Sequence, residues 1–174
     1  MIHPAACIHH LACIDETVTI GRHSRIWQFA SVVRRASIGE ACSVASCVII
    51  DGARIGNRCT VGHGAFVGPG TAIEDDVFVG PNVTVCNDAW PRTNKDDFDM
   101  TGLLDGSIVT VRIMRGASIG AGAVVLPGVT IGMNAMVAAG STVTRTVPHD
   151  FLWRRDGTAE RIDADAPMCR MRRA

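Results

Sequence analysis

Taken at every sixth residue, the stretch from 2 to 50 reads Ile2, Ile8, Ile14, Ile20, Ile26, Val32, Ile38, Val44, Ile50. After a one-residue slip the series resumes as Ile55, Val61, Val67, Ile73, Val79 and Val85. Beyond an insertion it continues as Ser107, Ile113, Ile119, Val125, Ile131, Val137 and Val143. Twenty-one of these twenty-two positions are Ile or Val, a regularity that a random chain would not hold. Four residues after most of them stands a small side chain, as at Ala6, Ala12, Ser24, Ala30, Ala36, Cys42, Cys59, Ala65, Ala117, Ala123 and Ala135. A period of six is neither the 3.6 of a helix nor the alternation of an extended strand. It is the period of a β-solenoid in which each hexad supplies a short strand and a turn. Three hexads close one triangular coil; the aliphatic residue fills the axis, and the small residue lets the corner close around it. The expected fold is therefore all-β, a parallel β-helix of about seven triangular coils, stacked about 4.8 Å apart into a prism about 33 Å tall.

Composition narrows the partners. The 174 residues carry 17 Lys and Arg against 17 Asp and Glu, so neither nucleic acid nor an anionic membrane is expected as a general partner. No apolar run reaches the ~18 residues of a membrane span, and the hexads open at Ile2, which predicts no signal peptide. The seven cysteines form no C-x-x-C pair. Cys42 and Cys59 fall on the small inward position, where a thiol behaves as a compact apolar group. Reduced thiols in a cytoplasmic protein are the expectation.

Breaks in a repeat become loops on one face. The first is small: Ile50 to Ile55 is five residues, and the shortened corner at Asp51-Gly52-Ala53 reads as a local adjustment. The second places sixteen extra residues between Val85 and Ser107, polar, mixed in charge, and carrying Trp90, Pro91 and Arg92. Its Trp-Pro-Arg core favours an ordered, contacting loop. After Pro148 the hexad is lost. Phe151, Leu152 and Trp153 are expected to pack across the open end of the prism, as a terminal coil requires. The resulting division is a solenoid over 1–148, with the inserted loop at 86–106, and a cap and tail over 149–174.

Three stretches carry a resemblance. They are Ile20-Gly21-Arg22-His23-Ser24-Arg25-Ile26-Trp27-Gln28-Phe29, then Val79-Gly80-Pro81-Asn82-Val83-Thr84-Val85-Cys86-Asn87-Asp88 with Pro91-Arg92, and Arg115-Gly116-Ala117-Ser118-Ile119-Gly120-Ala121. Together with the hexads they resemble the left-handed β-helix acyltransferases, and within them the N-acetyltransferases of nucleotide-linked amino sugars. The resemblance implies a left-handed coil, although the usual crossover rule predicts the opposite hand. It also implies a homotrimer with an active site at each subunit interface, acetyl-CoA lying in the groove between prisms, and a dTDP- or UDP-linked amino sugar entering from the loop side. The setting it implies is cell-surface polysaccharide biosynthesis. The chain departs from the family in one place: where a Gly-Asn-Pro-Ala turn often closes the last coil, it has Asp156-Gly157-Thr158-Ala159.

N-acetylation needs a neutral amine, a thioester carbonyl within attack distance, and donors for the developing oxyanion. Asn87 and Asp88, at the mouth of the insertion, suit those tasks, although Asn-Asp is also what a tight turn uses. His63, between Gly62 and Gly64, is a second candidate for proton acceptor or a solvated corner residue. Trp27 either stacks on a nucleotide base or packs at an interface. Arg92 either meets the substrate pyrophosphate or is solvated. Coenzyme contacts are expected from Gly122, Ala139 and Gly140, with Arg145 as a phosphate partner; no metal is expected. Three rival readings stand beside this one: a hexapeptide acyltransferase with another small acceptor, a metalloenzyme of the γ-carbonic-anhydrase kind, which needs three converging histidines, and a non-enzymatic scaffold.

Overall fold

The computed structural model describes residues 1–94 and 99–163. Strands of two or three residues form three parallel sheets, one per side of a triangular prism. The first face runs from Cys7–Ile8 to Phe151–Trp153, the second from Cys13–Ile14 to Thr142–Val143, and the third from Thr19–Ile20 to Thr130–Ile131. Isolated bridges, Ile2 to Ile20 and Ile131 to Val147, extend the third face at both ends. Seven coils are complete and an eighth has two sides, slightly more than the hexad count predicts.

The axial residues stack in register, Ile20 on Ile38, Ile26 on Val44 and Val32 on Ile50. They are buried from Ile20 to Val143, with the small partners Ala30, Ala36, Ala65 and Ala117 fully enclosed beside them. Cys42 and Cys59 take such inward positions, and their thiols donate to the carbonyls of Gly56 and Glu74 at 3.0 and 3.1 Å. All six cysteines within the described residues are free; Cys169 lies outside them. Corners turn through a left-handed residue, with φ 60° at Cys47 and 68° at Gly122. Its N–H donates to the preceding coil, Cys47 to Gln28 O and Gly122 to Pro81 O. Close stacking leaves no room where the chain leaves a strand. A Cβ on Gly120 would lie 2.7 Å from Val137 O and 2.8 Å from Ala139 Cα. Gly120→Ala is therefore expected to cost about 1–3 kcal/mol, read as a lower urea midpoint.

Ser107 is not an axial residue. Counting back six from Ile113 lands on it, but the chain has left the coil there, and Ser107 is exposed. Coil six begins at Val111–Ile113, paired with Thr71–Ile73. The insertion ends in a six-residue helix, α1 (Met100–Asp105). Asp99 caps its start, accepting from Gly102 N at 2.9 Å, and Gly106 ends it at φ 87°.

Beyond the coils, Trp153 occupies the axial position of the eighth layer, beside Val137, and is 1% exposed. Phe151 and Leu152, beside it on the same strand, are half-buried. Ala159–Arg161 then returns antiparallel to Phe151–Trp153. The departure at Asp156-Gly157-Thr158 is the turn of this hairpin, with Asp156 Oδ1 accepting from the Thr158 amide and hydroxyl.

The three corners differ in chemistry. The corner between third and first faces carries ion pairs from coil to coil: Arg22–Glu40 at 3.1 Å, Arg58–Asp76 at 2.6 Å and Arg58–Asp75 at 3.2 Å. The Asn57 backbone N–H and side-chain amide, and then Arg58, hold the Asp75 carboxyl below its ordinary value. A depressed carboxylate contributes stability above its unfolded value, about 4, and loses it as pH falls through the folded value. Unfolding midpoints measured from pH 5 to pH 3 should therefore fall more steeply for wild type than for Asp75→Asn.

Candidate active site

The expected site residues fall on two different corners. Trp27, His63, Gly122, Ala139 and Gly140 lie where the first face turns into the second. Asn87 and Asp88 lie where the second face ends, and Arg92 follows in the insertion; Arg145 occupies the same corner in coil seven. The width of the second face separates the two groups, so one chain does not bring them together.

Asn87 is positioned by the ladder. Cys86 still donates to Val125 O at 2.9 Å, so Asn87 is the first residue past the last strand bond. It is half-buried, beside Gly68 of the preceding coil, where a Cβ on the glycine would lie 3.3 Å from Asn87 Cβ. Burial pushes the neighbouring Cys86 thiol up. Asp88 is half-buried, and its Oδ1 accepts from Trp90 N at 2.8 Å. Asp88 thus closes a local turn on Trp90, as one of the two readings of the pair expects. Trp90 projects outward, 82% exposed.

His63 is exposed on a corner whose carbonyl accepts from Asn82 N at 2.8 Å. His3 and His9 serve their own turns, their Nδ1 atoms accepting from Ala5 N and Leu11 N, and His149 Nδ1 accepts from Met133 N of the preceding coil. Arg145 is held at the cap, its guanidinium 5.4 Å from the Trp153 ring centre and donating to Gly157 O at 3.1 Å.

Two open clefts lie on the first face. One, of about 340 Å³, is lined by Phe78, Ser118, Ile119, Gly120, Met136 and Val137. It adjoins the corner that holds Gly122, Ala139 and Gly140, and its mainly apolar lining suits an extended thioester arm. The other, of about 430 Å³, is lined by Cys7, His9, Arg25, Ile26 and Trp27. Phe78 and Met136 escaped the sequence reading. Their signal was available: each immediately precedes an axial residue, hence faces outward, and each is apolar where a solvated face would be polar.

A three-sided parallel β-helix with an inward Ile or Val every six residues fits the hexapeptide-repeat class. The family model "Bacterial transferase hexapeptide (six repeats)" matches residues 52–87 and 110–145, on either side of the insertion. A dTDP-3-amino-3,6-dideoxy-α-D-galactopyranose 3-N-acetyltransferase from Aneurinibacillus thermoaerophilus is 43% identical over 142 residues, covering 82% of this chain and 70% of that protein. The chain belongs to the bacterial hexapeptide transferases. Among solved structures, a GDP-perosamine N-acetyltransferase from Caulobacter crescentus superposes with a TM-score of 0.56 at 21% identity, over 90% of this chain and 55% of that one. An N-acyltransferase from Bacillus cereus, in complex with dTDP and coenzyme A, gives 0.57 at 16% identity, over 99% and 88%. At these identities the structures speak for the fold. The chain spans little more than half the length of the first of them.

Proposed function

We propose that the protein is an acetyl-CoA-dependent N-acetyltransferase acting on the amine of a nucleotide-linked amino sugar, with dTDP favoured as the nucleotide. The carrying observation is the 43% identity to an enzyme whose own substrate is a dTDP-linked amino sugar, held over most of both chains. The geometry agrees: a rigid coil presents Asn87 and Asp88 at the root of an insertion that carries Trp90 and Arg92. In the proposed reaction the amine lone pair attacks the thioester carbonyl, and the tetrahedral intermediate expels the CoA thiolate. The proton leaves the now acidic ammonium for Asp88, while Asn87 holds the amine or the thioester oxygen. His63 is the alternative proton acceptor.

The working unit in this reading is a homotrimer with a closed three-fold ring. Leu11, Trp27, Phe29, Ile49 and Phe78 are between 44% and 61% exposed and lie on the first and second faces and the corner joining them. The corner between the third and first faces carries the Arg22–Glu40 and Arg58–Asp75/Asp76 ion pairs instead. Apposing the apolar corner of one protomer to the second face of the next would bring His63 toward a neighbour's Asn87 and Asp88. Acetyl-CoA then lies along the apposed C-terminal coils, by Gly122, Ala139 and Gly140, with Arg145 near its phosphates. The sense of the coil in this reading is left-handed, and the setting is synthesis of cell-surface sugars in the cytoplasm. Among the described residues no helix is long and apolar enough to cross a membrane.

Thiol release should be followed while the protein, acetyl-CoA and a panel of dTDP- and UDP-linked amino sugars are mixed, with light scattering on the same sample. Turnover with a dTDP-linked amino sugar by a trimer is the expected result. Coenzyme binding without turnover on any nucleotide-linked amine would favour a different small acceptor, and no coenzyme binding by the folded protein would overturn the reading.

A further inference from the structure

The two breaks in the hexad pattern meet in space. The insertion leaves coil five, and helix α1 lies along the corner between the second and third faces, against coils two to four. Gly52, in the shortened corner, receives the Leu104 side chain; a Cβ there would collide with Leu104 Cδ2. Gly70, one coil on, receives Leu103, whose Cδ2 lies 2.6 Å from where a Cβ would stand. Both glycines have positive φ, 59° and 77°, which side-chain-bearing residues rarely adopt. Leu103 is 3% exposed.

Polar contacts hold the rim of this socket. Asp51 is 7% exposed, and both of its carboxylate oxygens accept from the Arg34 guanidinium. Arg34 Nη1 in turn lies 3.8 Å from Met100 Sδ, on the first turn of α1. The Arg54 guanidinium covers Gly106 at the other end of the helix. The chain is then tied back to the prism, with Thr110 N donating to Gly70 O at 2.9 Å and Gly128 N to Thr110 O at 2.7 Å.

We infer that the Gly52–Gly70 socket, filled by Leu104 and Leu103 of α1, positions the acceptor-binding insertion and so sets affinity for the nucleotide sugar. The inference rests on the reading given under Proposed function. The insertion leaves the rigid coil at Asn87 and Asp88 and is pinned again at α1, on a different coil. Fixing both ends restricts where Trp90 and Arg92 lie relative to Asp88. None of Gly52, Leu103 or Leu104 belongs to the proposed reacting groups; they act through the segment they hold.

The test uses the full-length protein and three variants, Leu104→Ala, Gly52→Ala and the conservative Leu104→Met. Leu104→Ala is expected to raise KM for the nucleotide sugar about tenfold, the cost of ordering a loop no longer held in place. KM for acetyl-CoA and the oligomeric state should stay as in wild type. Leu104→Met should restore most of the affinity, because a volume-conserving apolar side chain still fills the socket. Limited trypsin cleavage after Arg92 should be faster in Leu104→Ala and Gly52→Ala. An active wild type whose Leu104→Ala variant keeps its acceptor KM, or loses both substrates equally, would overturn the positioning role alone. A wild type that acetylates no nucleotide-linked amine would overturn the parent reading and the acceptor role with it, and the trypsin comparison would still report whether the helix is held by the socket.

Discussion

Asp88→Ala is expected to slow acetyl transfer by about 10²–10⁴-fold while leaving the prism, its assembly and coenzyme affinity intact. Three observations combine in that expectation. Asp88 stands two residues beyond Cys86, whose N–H makes the last ladder bond of coil five, so it leaves the rigid coil close to its end. It offers the first carboxylate of the insertion, and between Cys86 and Asn94 no histidine offers an alternative. Attack by an amine also produces a strongly acidic ammonium, so a weak base in the right place suffices. The complication is that Asp88 Oδ1 already accepts from Trp90 N, and removing it loosens a turn as well as a base. Asp88→Asn separates the two roles, because its amide oxygen caps the same turn but takes no proton. An Asn variant as slow as the Ala variant supports the base; one restored to near wild-type turnover means that Asp88 is a turn residue and moves the proton to His63 or water. Asn87→Ala should cost about 10²–10³-fold if its amide supports the oxyanion.

The largest expected effect on stability is at the other end of the prism. Trp153→Ala should lower unfolding free energy by about 3–5 kcal/mol. Its side chain is 1% exposed in the last axial position, and its ring N–H donates to Thr142 O at 3.1 Å. Removing it uncovers Val137, strands that carbonyl and takes the platform from beneath Arg145. A repeat array unfolds from its least supported end, so the loss reaches the neighbouring coils. Trp27→Ala is the comparison, because Trp27 is 46% exposed on a corner and lies outside the axial column. Urea midpoints should fall sharply for Trp153→Ala and little for Trp27→Ala in dilute protein. Equal midpoints for wild type and Trp153→Ala would mean that the eighth layer contributes nothing to closing the column.

What the sequence made legible follows from what is local. An axial Ile or Val every six residues is a local rule, so the coils could be read directly, and counting hexads in threes assigns each residue to a face. Ser107 was misplaced because α1 is too short to display a helical period, and the six-residue count runs through it unchallenged. The shortened corner at Gly52 looked like a minor adjustment because its partner, Leu104, lies in a distant part of the chain. Contacts of that kind carry no periodicity. The candidate site is partly legible: Asn87 and Asp88 can be placed at a strand end, and the turn that Asp88 makes is one of the two readings of the pair. That His63 and the corner of Gly122, Ala139 and Gly140 sit a full face away from them is a fact of the closed triangle, and in the proposed trimer that corner comes from a second protomer.

A column of near-identical layers has an alignment problem. Slide one part of the chain past another by a whole coil, and Ile or Val still meets Ile or Val, so the apolar core alone scarcely distinguishes the native pairing from its neighbours. The irregular features act as index marks. The step between paired residues is seventeen from Ile38 to Ile55 and eighteen from Ile20 to Ile38, so a slipped pairing across that corner mismatches inward and outward positions. Trp153 marks the last layer among the described residues, where an indole takes the place of an axial Ile or Val. Departures from the repeat therefore supply a specificity that the repeat itself lacks, and a version of this chain tidied into perfect hexads would gain regularity while losing a unique way to fold.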